Sequence, residues 1–264
     1  MKYTLGFIGC GNMGGALITA ATRAISAKNI VICDHNKAKT NVYAQQYGLT
    51  VADAETVAKE AKFVIFGVKP QVMKQAIEPL SDILKHRENV VVVTMAAGLS
   101  MDSIQTFIGA KLPVIRIMPN TPVAVGKGMV LYSTDGMDAQ TETEFLRCFA
   151  QAGVFDKLPE NKMDGGSALS GCGPAFVYAF AEALADGGVE CGVPRDKAAL
   201  YAAQTLLGAA EMLLQYGHPA DLKDAVCSPG GTTIAGIHAL EKAGFRGATM
   251  EAVLAAYQRT LELK

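Results

Sequence analysis

Charge of one sign, paired cysteines and clustered histidines are all missing from this chain. Its 24 Lys and Arg stand against 25 Asp and Glu, for a formal net charge of -1. No Lys/Arg run breaks that balance, which excludes the electrostatic footprint of a nucleic-acid binder or of a protein lying on an acidic membrane. Small-molecule partners are expected instead. The six cysteines (Cys10, Cys33, Cys148, Cys172, Cys191, Cys227) include no Cys-x-x-Cys pair. None has a histidine at ligand spacing, and the four histidines are equally scattered, so a protein metal site is not expected. The thiols read as reduced, in a cytoplasmic protein. No apolar run is expected to reach membrane-spanning length. Met1 to Ile8 runs directly into a strand and a glycine loop, leaving no room for a signal peptide. Trp is absent while Gly (27) and Met (11) are generous, and the small residues in helical stretches point to close helix packing, including packing between subunits.

What is present suits one large or two ordinary domains: 264 residues, 50% hydrophobic and 19% charged. Short β-rich runs stand at Tyr3 to Ile8, Ile30 to Cys33, Phe63 to Val68, Val90 to Thr94, Val114 to Met118 and Met129 to Tyr132. Between them fit helices at about Met13 to Thr22, Ala38 to Tyr47, Glu55 to Ala61, Gln71 to Leu84, Met101 to Ile108 and Gln140 to Gln151. Continuous apolar strands alternating with helices predict a parallel sheet covered on both faces. After Asp164 strand signals stop. Helices are expected at about Pro174 to Asp186, Arg195 to Tyr216, Ala220 to Cys227, Thr233 to Ala243 and Thr249 to Leu263. A boundary near Glu160 gives two domains, 1–160 and 161–264. The apolar content around Ala198 to Leu214 is high for a lone helical layer, and dimerisation would cover it.

Gly9-Cys10-Gly11-Asn12-Met13-Gly14 follows the first strand and opens the first helix. This is the G-x-G-x-x-G arrangement in its dinucleotide-binding context: one glycine for the turn, one for approach of a pyrophosphate, one for close helix–strand contact. At the end of the second strand the signals divide. Asp34, twenty residues beyond Gly14, stands where an acid would bond the ribose hydroxyls of NAD. His35, Asn36 and Lys37, with Lys39, could instead hold the 2′-phosphate of NADP, Asp34 being turned away or serving as a helix cap. NADP(H) is the expected cofactor, with NAD(H) as the alternative.

Ser228-Pro229-Gly230-Gly231-Thr232-Thr233 reads as a second, smaller anion site. Pro229 stiffens the approach, two glycines expose backbone N–H groups, and two hydroxyls follow where a helix should start, so that a carboxylate or phosphate can sit at its N-terminus. A capped helix after a turn is the plainer reading.

Taken together, these elements make the chain resemble pyrroline-5-carboxylate reductases. The resemblance rests on Gly6 to Gly14, Val68-Lys69-Pro70, Ala96-Ala97-Gly98, Ile115 to Pro122, Leu169 to Ala175, Ala185 to Gly188 and, most specifically, Ser228 to Thr233. It implies an N-terminal Rossmann domain with a doubly wound, mostly parallel sheet, followed by an all-α dimerisation domain that interlocks with a second subunit. Active sites would form at the dimer interface, and dimers would assemble further into rings of ten. Carried over by motif, Ile8 to Met13 would hold pyrophosphate, and Gly67, Val68, Lys69 and Pro70 with Met95, Ala96 and Ala97 would line the nicotinamide side. Ser228, Gly230, Gly231, Thr232 and Thr233 would bind substrate, and Glu160 would touch it. Asp53 and Ala225 stand where some relatives carry Asn.

The implied reaction reduces 1-pyrroline-5-carboxylate to L-proline. A protonated C=N is already electrophilic, so orientation can supply much of the catalysis. Thr233 would offer its hydroxyl to the imine nitrogen. β-Hydroxyacid dehydrogenases, which share the two-domain plan, place a catalytic Lys four residues after the second Gly of a Gly-x-Gly turn; after Gly171-Cys172-Gly173 this chain has Val177. His238 and Cys10 read as packed or surface residues.

Overall fold

The computed structural model describes residues 1–262, so Leu263 and Lys264, which end the expected last helix and second domain, lie outside the described residues. The elements are β1 (Tyr3–Ile8), α1 (Asn12–Ala24), β2 (Ile30–Cys33), α2 (Lys37–Tyr47), β3 (Thr50–Val51), α3 (Ala54–Glu60) and β4 (Ala61–Phe66). Next come α4 (Met73–Ile77), α5 (Ser81–Lys85), β5 (Val91–Thr94), α6 (Met101–Ile108), β6 (Val114–Met118), β7 (Gly128–Asp135), α7 (Ala139–Cys148) and β8 (Gly153–Lys157). Helices α8 (Met163–Ser170), α9 (Gly173–Glu190), α10 (Arg195–Tyr216), α11 (Pro219–Ala225), α12 (Thr232–Lys242) and α13 (Phe245–Glu262) complete the described chain.

The strands form a sheet of order β3-β2-β1-β4-β5-β6-β7-β8. Its alternating side chains explain the apolar strand runs. Leu5, Phe7, Ile30, Ile32, Phe63 and Ile65 enter one buried cluster, whereas Tyr3, Ile8, Val31, Val64 and Phe66 enter a second. Successive residues of a strand point to opposite faces, so a sheet covered twice needs apolar residues at nearly every position. All pairings are parallel except β6 with β7. The connection from Met118 to Gly128 is too short for a parallel crossover, which takes a dozen or more residues. A buried Asn120 pins it, donating to Ser170 O and accepting from Met129 N–H.

Compact units divide between Cys172 and Gly173: one comprises Met1–Cys172 with Ala256–Lys264, the other Gly173–Ala255. In the second, α9 and α10 pack as a hairpin through Ala185, Ala198 and Ala202. A Cβ on Gly188 would lie 3.3 Å from that of Ala198, so the small residues set the close approach. Few large side chains are buried there; Leu200, Tyr201, Leu207, Met212 and Leu214 are exposed.

Within Glu160–Glu190 an 18-residue window has a mean hydropathy of 1.3, enough by length and composition to cross a membrane, contrary to the sequence expectation. Met163–Ser170 is helical, and Ala, Leu, Phe and Val with few charges carry the sum.

Candidate active site

The chain runs from β1 outward through β2 and β3, then returns to place β4 on the other side of β1. The crevice at the carboxyl ends of β1 and β4 is therefore the topological switch point, where open α/β sheets bind ligands. Both loops that flank it are glycine-built. Gly9 has φ +106°, and a Cβ there would lie 2.6 Å from Gly67 O. Cβ atoms on Gly14 and Gly67 would lie 2.3 and 2.6 Å from Gly9 O. The loops are tied by Gly67 N–H donating to Ile8 O and Gly9 N–H donating to Cys33 O, both at 2.8 Å.

Above this interlock lies the start of α1. Its N-cap, Gly11, makes no side-chain capping bond, and the first turn carries no acid. A Cβ on Gly11 would meet no atom within 4 Å. The first N–H groups of α1 thus face open space at the positive end of the helix dipole, a cradle that fits a phosphate.

At the end of β2 the ambiguity over Asp34 has a geometric answer. Its Oδ2 accepts from Cys10 N–H at 2.7 Å and its Oδ1 from Asn36 N–H at 2.8 Å. His35 Nδ1 lies 3.2 Å away. Burial pushes this carboxyl upward, but the two N–H groups, with Lys39 and His35, hold it below its ordinary value. Asn36, not Asp34, caps α2, accepting from Ala38 N–H. His35, Lys37 and Lys39 are exposed. Cys10 is buried, and that burial, reinforced by Asp34, pushes its thiol up to about 12.

Beyond β4, Val68 packs into the second core cluster, Lys69 is exposed and Pro70 opens a 3₁₀ turn. Beyond β5, Ala96 is buried with its N–H donating to Thr94 Oγ1, Met95 packs against the first cluster and Ala97 is half-buried. Asp53, which stands where some relatives carry Asn, caps α3 by accepting from Thr56 N–H. Glu160 has defined partners: its Oε1 accepts from Met101 N–H at 2.7 Å and lies 3.5 Å from Arg116 Nη1. Arg116 also bonds Asp164. This cluster of a buried guanidinium and two carboxylates went unread at the sequence level, although a lone Arg within the apolar run Val114–Met118 was its signal.

In the other unit, Gly230 takes φ +69°, in the left-handed region glycine favours, and Gly231 N–H closes the turn onto Ser228 O. Gly231 is the N-cap of α12 and makes no side-chain capping bond, so a hydroxyl-capped helix is not what forms. A Cβ on Gly231 would lie 2.4 Å from Ser228 Oγ, which folds over the turn. The exposed Thr232 and Thr233 are the first helical residues, and the bond from Ala235 N–H to Gly231 O lies beyond their own N–H groups. Val177 and His238 are exposed, on α9 and α12, and Ala225 ends α11. Among the described residues, no three His, Cys, Asp or Glu side chains converge as a metal would require.

Comparison with known proteins agrees with this layout. Residues 160–263 match the family model described as pyrroline-5-carboxylate reductase dimerisation. Residues 4–98 match one described as NADP oxidoreductase coenzyme F420-dependent. A pyrroline-5-carboxylate reductase of Glycine max is 42% identical over 99% of this chain and 96% of its own length. Its counterpart in Escherichia coli is 35% identical over 100% and 99%. The crystal structure of a Plasmodium falciparum pyrroline carboxylate reductase with NADP bound superposes with a TM-score of 0.89 at 29% identity, covering 99% of this chain and 98% of the other.

Proposed function

Because the chain belongs to the pyrroline-5-carboxylate reductase family, we propose that it reduces 1-pyrroline-5-carboxylate to L-proline, the last step of proline synthesis, using NADPH in preference to NADH. The observation that carries the substrate reading is the uncapped start of α12, where Gly230 and Gly231 expose backbone and two hydroxyls follow. The N–H groups around Gly230, Gly231 and Thr232 take the substrate carboxylate, and Ser228 closes over the turn. Thr233 orients the ring through a hydrogen bond between its hydroxyl and the imine nitrogen, or, if the imine arrives unprotonated, relays to that nitrogen the one proton from water that hydride addition then requires. A reduced nicotinamide held beside Gly67 to Pro70 and Met95 to Ala97 would supply the hydride that the carbon of the C=N bond accepts.

On the cofactor side, Ile8, Gly9, Cys10, Gly11, Asn12, Met13 and Gly14 form the pyrophosphate cradle, in which Asn12 and Met13 present the N–H groups. His35, Asn36 and Lys37 meet the 2′-phosphate. Gly67, Val68, Lys69 and Pro70, with Met95, Ala96 and Ala97, border the nicotinamide. Glu160 borders the substrate while its Oε1 steadies Met101 N–H, just beyond the loop from Met95. The exposed apolar helices after Gly173 support a homodimer, with a ring of ten as its further assembly, and the free thiols support a cytoplasmic setting. The functional division falls at 1–160 and 161–264, with nucleotide binding in the first part and, Glu160 apart, substrate binding and dimerisation in the second, while the compact units divide at Cys172 and Gly173.

The test follows oxidation of NADPH and of NADH with racemic pyrroline-5-carboxylate. Faster turnover with NADPH and formation of L-proline are expected. Binding of nucleotide without turnover would make the chain a silent NADP-binding regulator, and equal turnover with NADH would overturn the cofactor preference.

A further inference from the structure

The carboxylate of Asp34 sits where the sequence pattern expects the acid that reads an unphosphorylated ribose, yet it is almost fully enclosed. Only 4% of its side chain is exposed. Each oxygen already accepts a backbone N–H, one from Cys10 inside the glycine loop and one from Asn36 after β2. A ribose diol needs an acceptor with free surface, and this one has almost none left. The two bonds reach across 24 residues in one direction and two in the other, so one side chain joins the loop that receives pyrophosphate to the loop that carries His35, Asn36 and Lys37.

We propose that Asp34 is a positioning residue that latches these two loops in register for a 2′-phosphorylated nucleotide, rather than a ligand of the ribose. Three features support the assignment. Cys10 N–H, which would otherwise join the donors around the pyrophosphate, is consumed by the latch, leaving Asn12 and Met13 at the start of α1. Anchoring Asn36 N–H brings the capping side chain of Asn36 to α2 and leaves His35 and Lys37 exposed. The negative charge, which at the usual ribose position would repel a 2′-phosphate, is held inward among N–H donors with His35 Nδ1 at 3.2 Å. An acid that a motif count would score for the other nucleotide thus holds the two loops together, and the choice between nucleotides falls to His35, Asn36 and Lys37. The inference rests on the cofactor reading above.

Calorimetric titration of NADP⁺ and NAD⁺ into the whole protein separates the roles, with Asp34→Ala and Asp34→Asn as variants and thermal unfolding as the check on folding. Loss of a latch weakens both nucleotides together: a rise in Kd of about tenfold for each with Asp34→Ala, and a smaller common rise with Asp34→Asn, which keeps one acceptor oxygen. The ratio of the two Kd values should stay within about threefold of the parent's. A parallel Lys37→Ala variant gives the opposite signature, weakening NADP⁺ alone. If Asp34→Ala weakens NAD⁺ and spares or improves NADP⁺, Asp34 is the ribose ligand and the latch is refuted. If melting temperature falls while both Kd values stay at the parent's, its role is merely structural and the latch is refuted. A parent protein that binds neither nucleotide would instead overturn the cofactor reading itself.

Discussion

Gly11 and Gly14 make a matched pair of perturbations, because one faces open space and the other faces backbone. In Gly14→Ala the new Cβ would lie 2.3 Å from Gly9 O and 3.3 Å from Gly9 C. Normal contact lies near 3.5 Å, so the glycine loop must move by roughly 1 Å. Overpacking of this kind costs about 1–3 kcal/mol, and about 1 kcal/mol returns because Ala is the better helix residue at this position in α1. The net destabilisation is about 0–2 kcal/mol, a fall in melting temperature below roughly 8 °C. Binding should suffer more, since a 1 Å displacement of a positioned group costs about hundredfold. Gly11→Ala behaves differently. Its Cβ meets nothing within 4 Å and its φ of -70° suits any residue, so stability changes by no more than the loss of a favoured N-cap, about 1 kcal/mol. The added methyl nevertheless occupies the space assigned to phosphate, and NADPH affinity should fall at least about tenfold. Calorimetric titration of NADPH beside differential scanning calorimetry measures both quantities. Gly11→Ala binding NADPH as the parent does would refute the assignment of phosphate to this end of α1, whatever Gly14→Ala does.

Thr233→Ala should lower turnover by about one to two orders of magnitude with NADPH affinity unchanged, and Thr233→Ser should recover most of it; steady-state kinetics equal to the parent's would make Ser228 to Thr233 a simple turn. Arg116→Met removes one partner of a buried ion pair and should destabilise by about 3–5 kcal/mol, roughly 10 °C in melting temperature, whereas a shift below 2 °C would show the cluster to be dispensable. The Cys10 thiol, raised from 9.0 to about 12, keeps its proton in the folded chain after the unfolded chain has lost it. Its contribution is therefore full below pH 9 and declines between pH 9 and about 12. Mass spectrometry after brief iodoacetamide treatment at pH 8 should find Cys10 unmodified, and rapid labelling there would contradict its burial.

Much of the sheet and of the nucleotide cradle was legible in the sequence because both depend on local pattern. Apolar runs mark β1, β2, β4, β5, β6 and the centre of β7, and the glycine spacing states its own backbone requirements. Other elements carried weaker signals. β3 has two exposed residues, β8 mixes Phe155 with Asp156 and Lys157, and α8 contains the pair Gly165-Gly166. The helix expected from Gln71 to Leu84 is broken into α4 and α5 by a 3₁₀ turn at Pro79, which has no N–H to continue an α-helix. The directions of Asp34 and Glu160 were beyond reach for a different reason: their partners stand 24 and 59 residues away, and only the folded sheet brings Cys10 N–H and Met101 N–H to them.

The sheet, all of it between Tyr3 and Lys157, also fixes an order of events during synthesis. At about 5–20 residues per second, a ribosome needs roughly 5–20 s to add the 92 residues from Gly173 to Lys264. Every strand can find its neighbours in that interval, before the helices bearing Leu200, Tyr201 and Leu214 have left the ribosome. This exposed apolar surface is thus made after the sheet. If these helices pair two copies as proposed, the time that surface spends uncovered is set by the local concentration of completed chains, and so by the rate of translation.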